Sequence, residues 1–163
     1  MPRAYKCISV GFGSCHIVDN MDPYYTDFWK NRQDRDAFEL YFKTLLEGLL
    51  EFSQIDTLGH LDYVVRYSPN RDSNYSPRDY QDVIDEILKF IIEKNIKLEI
   101  NTSNLSKGFD FFNPHTDIIK RYKELGGKYV TLGSDAHKAE YIGYGFDKAY
   151  EIANYFDLKI FTL

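Results

Sequence analysis

An aspartate and a histidine two residues apart are the side chains in this sequence best suited to chemistry. Asp135 and His137 follow Gly133-Ser134 and the apolar run Tyr129-Val130-Thr131-Leu132. On an extended segment, residues i and i+2 point to the same side. Both side chains can therefore reach one point where the strand runs out into a loop. The carboxyl ends of parallel strands are where α/β proteins place their chemistry, so this spacing suits a metal-binding pair.

Two further histidines occur in the same setting. His16 follows Gly13-Ser14-Cys15 and the run Ile8-Ser9-Val10, and His60 follows Gly59 and the run 55–58. Glycine permits the tight turn that brings a backbone close to a bound ion. Mixed imidazole and carboxylate ligands suit zinc, iron or manganese. The pattern therefore predicts one shared divalent-metal site with the ligands His16, His60, Asp135 and His137.

Charged residues beside these histidines allow two interpretations each. Asp62 is placed either to accept a hydrogen bond from an imidazole N–H or to cap a loop. Arg66 lies six residues beyond His60, where its guanidinium is suited to bidentate phosphate binding. The alternative for Arg66 is an ordinary surface position.

Four other polar residues have weaker signals. Glu99 and Asn101 alternate on an apolar run and are either site residues or loop anchors. His115 follows a proline at a predicted helix start, which favours local capping over metal ligation. Cys15 precedes His16, and a buried thiol is favoured over a thiolate ligand.

The elements that position these residues alternate between strand and helix. Helix Asp36–Phe52 is predicted from apolar residues repeating every three and four positions, and Ser76-Pro77 opens the next helix. Loops are predicted at 19–35, with room for one short helix, and at 68–77. The predicted strands are 5–10, 55–58, 96–101, 129–132 and 158–162, and the remaining helices are 77–95, 114–125 and 146–156. This order indicates an α/β fold with a parallel sheet and right-handed crossovers.

Composition narrows the class of protein. The chain has 163 residues and a net charge of −5 without a long basic run, which argues against nucleic-acid binding. Its two cysteines form no disulfide framework, which favours the cytoplasm. We see no secretory leader and no stretch approaching the roughly 18–20 apolar residues of a membrane span. Serine-hydrolase, P-loop and dinucleotide motifs are absent, and we expect one domain over residues 1–163.

The sequence resembles the PHP (polymerase and histidinol phosphatase) superfamily, and within it the histidinol-phosphate phosphatase type. Similar segments occur in that family in the same order, and together they are specific. The matching stretches are Gly13-Ser14-Cys15-His16-Ile17-Val18-Asp19, Gly59-His60-Leu61-Asp62-Tyr63 with Arg66-Tyr67, Leu98-Glu99-Ile100-Asn101-Thr102-Ser103, and Gly133-Ser134-Asp135-Ala136-His137.

The resemblance implies a distorted (β/α)7 barrel with a multinuclear metal cluster at its carboxyl-terminal rim. His16 and His60 would hold one metal, Asp135 a second and His137 a third, and Arg66 would contact phosphate. The implied reaction is hydrolysis of L-histidinol phosphate to L-histidinol and phosphate, a step of histidine biosynthesis, by a metal-bound hydroxide.

The family also has an amino-terminal His-x-His pair and a bridging glutamate, which have no counterpart among the four histidines of this chain. We therefore expect the carboxyl-terminal part of a barrel, with exposed sheet edges and association with itself or with a complementary amino-terminal half. Two alternatives stay open. One is a non-catalytic metal-binding or assembly subunit, and the other is a phosphoesterase acting on another small phosphate ester, such as a nucleotide.

Overall fold

Five parallel strands form a single sheet in the computed structural model, which describes residues 11–161. The strands follow one another in chain order across the sheet, without the reversal of a doubly wound fold. Sequential parallel pairing with intervening helices is the arrangement of a (β/α) barrel wall. The strands are β1 (Phe12–Gly13), β2 (Thr57–Leu58), β3 (Lys97–Asn101), β4 (Tyr129–Gly133) and β5 (Lys159–Ile160).

The last four strands lie within the predicted ones, apart from Gly133, and the parallel α/β class is confirmed. The predicted strand at 5–10 lies outside the described residues. Within the described residues, Phe12–Gly13 pairs with Thr57–Leu58, although Gly11 and Gly13 leave no apolar run there. Backbone bonds carry this pairing, since the Gly59 N–H donates to the Gly13 carbonyl at 2.8 Å.

The long helices occur where their apolar periodicity predicts them, with ends shifted by a few residues. The loop at 19–35 does contain one short helix, α1. The helices are α1 (Thr26–Trp29), α2 (Asp34–Glu51), α3 (Gln81–Glu93), α4 (Ser103–Ser106), α5 (Thr116–Glu124) and α6 (Phe146–Tyr155). Three 3₁₀ helices were not anticipated: Tyr63–Tyr67, Pro77–Tyr80 and Ala139–Tyr141.

The start of the second long helix differs from its prediction. Pro77 occupies the first turn as expected, but that turn is a 3₁₀ helix, and Ser76 makes no side-chain cap. The tighter turn runs directly into α3.

The two faces of the sheet have different roles. Leu58, Leu98 and Val130 form one register row, and all three are buried. Because side chains alternate along a strand, Glu99 and its register partner Thr131 point to the opposite face. The polar face therefore leads towards the carboxyl ends of β3 and β4, where the predicted site residues begin.

The β1 side of the sheet is open in the part of the chain that the structure describes, because β1 pairs only with β2 there. A groove of about 430 Å³ lies beside it, lined by residues from β1, α2 and the segment before β2, including Leu45, Leu49 and Ile55. Phe12 and Phe52 are more than half exposed.

No helix within residues 11–161 is long and apolar enough to cross a bilayer.

Candidate active site

Two imidazole rings meet at the carboxyl ends of β1 and β2. The Nε2 atoms of His16 and His60 lie 3.3 Å apart. Two nitrogens at about 2.0–2.1 Å from one tetrahedral zinc ion lie about 3.3 Å apart. The spacing of the pair therefore fits two ligands of a single metal ion.

The sheet holds His60 in an unusual backbone conformation. Its φ of 29° lies in the left-handed region, which is uncommon for residues other than glycine. The His60 N–H donates to the buried Glu99 carboxylate at 3.0 Å. Burial lowers the pKa of His60 to about 4, so the ring is neutral at neutral pH, as a metal ligand must be. Its buried Nδ1 has no hydrogen-bond partner among the described residues.

Asp135 is the second predicted ligand in the left-handed region, with a φ of 45°. Its Oδ2 accepts a hydrogen bond from Arg66 Nη1 at 3.0 Å, and its Oδ1 lies 3.4 Å from His137 Nε2. Burial raises the pKa of Asp135, but the hydrogen bond and charge of Arg66 outweigh it and lower the pKa overall. His137 extends outward, with its side chain 86% exposed.

Arg66 lies beneath this end of the sheet, and the surface alternative for it is wrong, because its side chain is only 2% exposed. Its Nε donates to Asn104 Oδ1 at 2.9 Å. Its Nη2 donates to Ser103 Oγ and to Asn113 Oδ1, both at 2.6 Å, and approaches Asn101 Oδ1 at 3.5 Å. With Nη1 on Asp135, most of the five N–H groups of the guanidinium are already used.

Asp62 anchors loops, and it makes no hydrogen bond to an imidazole among residues 11–161. Its Oδ1 accepts from Asn113 Nδ2 at 2.7 Å. Its Oδ2 accepts from the His115 N–H at 2.8 Å and from the Tyr75 hydroxyl at 3.2 Å. Of the two interpretations of Asp62, the structure therefore realises the structural one.

Glu99 contacts the backbone of His60, and Asn101 approaches the guanidinium of Arg66. Asn101 Nδ2 donates to Glu99 Oε2 at 3.1 Å, and Asn101 Oδ1 accepts from Ser103 Oγ at 2.6 Å. Burial raises the pKa of Glu99 to about 7, opposed by the hydrogen bond from Asn101 and reinforced by the charge of Asp135. Glu99 thus links the backbone of His60 to the end of β4.

The remaining weak signals resolve as local structure. His115 is the N-cap of α5, where its Nδ1 accepts from the Asp117 N–H at 3.1 Å, which is the predicted capping role. Burial raises the pKa of Cys15 to about 11. Cys15 is half-buried against the core, and the group therefore stays a thiol at neutral pH.

Four residues that contact the predicted site residues were not themselves predicted to do so. Tyr63 stacks on both imidazoles, with ring centroids 4.6 Å from His16 and 5.2 Å from His60. Ser103, Asn104 and Asn113 supply most of the acceptors for Arg66. Polar residues directly after a buried strand, as in 101–104, were the available signal.

The four predicted ligands form two pairs, His16 with His60 and Asp135 with His137. Within the described part of the chain, no three histidine, cysteine, aspartate or glutamate side chains converge on one point. The Glu99 carboxylate lies between the two pairs. It accepts a hydrogen bond from the His60 N–H, and it packs so closely on Gly133 that a Cβ there would overlap it.

That overlap makes Gly133 a sensitive position. We expect Gly133→Ala to displace the Glu99 carboxylate and to lower the free energy of unfolding by about 1–3 kcal/mol, the range for overpacking a buried site. Urea unfolding of the two proteins measures the difference.

Gly48 provides the matched control, because it lies within α2 and a Cβ there would meet no atom within 4 Å. Gly48→Ala should raise the free energy of unfolding by about 0.5–1 kcal/mol through the gain in helix propensity. Equal effects of the two alanines would contradict the packing role of Gly133.

A sequential parallel sheet with histidine and aspartate at its carboxyl ends defines a barrel-type α/β protein with a metal-suited rim. Comparison with known families agrees with that class. The PHP domain model matches residues 8–103, so the chain belongs to the PHP domain family.

Relatives with curated names make the resemblance more specific. A probable histidinol-phosphatase of Clostridium acetobutylicum is 41% identical over 147 residues, which cover 90% of this chain and 57% of that protein. The histidinol-phosphatase of Lactococcus lactis is 32% identical over 130 residues, covering 78% and 47%. The chain therefore spans about half the length of these curated relatives.

A solved structure shares the fold. It is the crystal structure of the Lactococcus lactis histidinol phosphate phosphatase in complex with zinc, L-histidinol and phosphate. The TM-score is 0.79 at 27% identity, and the match covers 91% of this chain and 57% of that one. The PHP phosphatase fold expected from the sequence is confirmed.

Proposed function

We propose that this chain carries part of the active site of a metal-dependent phosphomonoesterase that hydrolyses L-histidinol phosphate to L-histidinol and phosphate. The observation that supports this most directly is the pair of Nε2 atoms 3.3 Å apart at the strand ends. The relatives named histidinol-phosphatase, and the L-histidinol and phosphate bound in the matching crystal structure, point to the substrate.

The donor set fits divalent zinc, manganese or iron, in the multinuclear arrangement that the two separate pairs suggest. In this proposal the metal ligands are His16, His60, Asp135 and His137. When bound, such ions supply Lewis-acid activation of the phosphoryl group and of the attacking water.

Arg66 contributes in two ways in this proposal. It holds Asp135 through Nη1, and the second Nη1 N–H, which no described residue engages, is available to a phosphoryl oxygen. Because Nε and Nη2 are committed to Asn104, Ser103 and Asn113, phosphate binding through the whole guanidinium fork would require breaking these bonds. Arg66 therefore gives one phosphate hydrogen bond rather than a bidentate clamp.

We further propose that residues 1–163 form one domain, a segment of the PHP barrel, because one cluster of buried side chains runs from Val18 to Leu158. The groove beside β1 is suited to a further strand and helix of such a barrel, from a complementary half or from a second copy. A cytoplasmic location accords with Cys15, which forms no disulfide within residues 11–161.

The test is phosphate release from L-histidinol phosphate by the purified full chain. We expect activity to be lost on chelation and to return with zinc, manganese or iron, because the proposed ligands cannot polarise the ester alone. The assay is run alone and with the amino-terminal half of the Lactococcus lactis relative added.

A second candidate, a non-catalytic metal-binding subunit, is favoured by the lack of three converging ligands within residues 11–161. Metal binding without phosphate release, alone and after complementation, would establish that role and overturn the phosphatase. Release from another small phosphate ester but not from L-histidinol phosphate would retain the enzyme class and replace the substrate.

A further inference from the structure

A continuous strip of tyrosine rings leads from the histidine pair to the surface. Tyr63, in contact with both imidazoles, packs on Tyr67 with ring centroids 4.9 Å apart. Tyr67 in turn meets Tyr24 edge to face at 5.3 Å, and Tyr24 is 59% exposed. We call Tyr63, Tyr67 and Tyr24 the tyrosine strip. Its inner end lies at the proposed metal site, and its outer end faces solvent.

Asp22 borders this strip without a cationic partner among the described residues. Its Oδ1 accepts from the Tyr24 N–H at 2.8 Å and approaches the Tyr63 hydroxyl at 3.5 Å. Its Oδ2 accepts no hydrogen bond within residues 11–161. By contrast, two aspartates on either side of it pair with cations: Asp19 with Arg32, and Asp27 with Lys30.

The loop that carries Asp22 is held firmly in place. Val18 and Met21 form a backbone bridge just before it. The indole N–H of the buried Trp29 donates to the Pro23 carbonyl at 2.8 Å just after it. The carboxylate and the rings are therefore pre-positioned, which reduces the entropy cost of binding a ligand.

We propose that Asp22 and the tyrosine strip bind the cationic, aromatic half of the phosphate ester. This inference rests on the proposed function. L-Histidinol carries an imidazole ring and a primary amine. Aromatic faces attract both flat rings and cations, and a carboxylate without a cation adds a charge-assisted hydrogen bond. Asp22 and Tyr24 are thus specificity-determining residues for an amino-imidazole alcohol.

Binding of L-histidinol to the metal-free full chain, measured by calorimetry, tests the inference without turnover. We expect Asp22→Asn to weaken binding about tenfold, since one charged hydrogen bond contributes on the order of 1.5 kcal/mol. Tyr24→Leu should also weaken binding, because it removes the exposed ring at the outer end of the strip. Asp82→Asn on α3 and Tyr155→Leu on α6, both exposed and remote from the strip, are the matched controls.

The second readout is selectivity. The ratio of kcat/KM for L-histidinol phosphate to that for glycerol phosphate should fall about tenfold in Asp22→Asn, mainly through KM. Equal loss for both esters, or unchanged L-histidinol affinity in both strip variants, overturns the inference. If the parent protein binds L-histidinol through Asp22 but releases no phosphate from its ester, the subsite stands and the proposed reaction fails.

Discussion

Replacing Arg66 with methionine should lower the free energy of unfolding by about 3–5 kcal/mol, the cost of removing one partner from a buried charged network. Methionine fills similar space but donates no hydrogen bond. The oxygens of Asn104, Ser103 and Asn113, now bound by the guanidinium, would stay buried without donors. Urea unfolding of the metal-free chain measures the change.

Two variants make this result interpretable. Arg66→Lys keeps the charge but loses the planar fork, so we expect an intermediate loss. Arg121→Met removes another arginine that pairs with a carboxylate through two bonds, to Asp85, but its side chain is 34% exposed, and the change should cost less. Equal losses for Arg66→Met and Arg121→Met would contradict the organising role of Arg66.

The sequence predicts most of the sheet because β2 to β5 are short apolar runs between helices of clear periodicity. It does not predict the pairing of Phe12–Gly13 with Thr57–Leu58, because Gly11-Phe12-Gly13 has no apolar pattern. There the strand exists through backbone bonds to the next strand, such as that from Gly59 to Gly13. The first strand therefore forms only when residues about 45 positions later in the chain pair with it, as Gly11 does with Asp56. Local strand propensity does not predict such a distant pairing.

In the candidate site too, some residues could be predicted from the sequence and others could not. Strand-end position identifies His16, His60 and Asp135, because the carboxyl ends of parallel strands meet. The environment of Arg66 could not be predicted from the sequence. The 3₁₀ helix Tyr63–Tyr67 turns Arg66 inward. Its acceptors lie in 101–113 and at Asp135, so these contacts exist only after the loops have folded.

Changing Asp135 to asparagine isolates the role of its charge. Asparagine has the same size, and it tolerates the positive φ of 45° at this position as well as aspartate does. Its amide oxygen can still accept the hydrogen bond from Arg66, but the buried guanidinium loses its anionic partner, so we expect a loss of stability smaller than that of Arg66→Met. The negative charge that would face a metal ion is lost.

We therefore expect Asp135→Asn to weaken zinc binding and phosphate release by at least about 100-fold, more than the usual cost of altering a group that only supports a ligand. Zinc calorimetry and the phosphate assay measure the two effects. Asp147→Asn, an exposed aspartate in the first turn of α6, is the matched control. Zinc affinity and turnover within twofold of the parent would remove Asp135 from the metal site and leave it as a partner of Arg66 alone. If the parent chain binds zinc but releases no phosphate, alone or after complementation, a loss of zinc binding in Asp135→Asn would favour the non-catalytic subunit, because the carboxylate would then hold metal without serving a reaction.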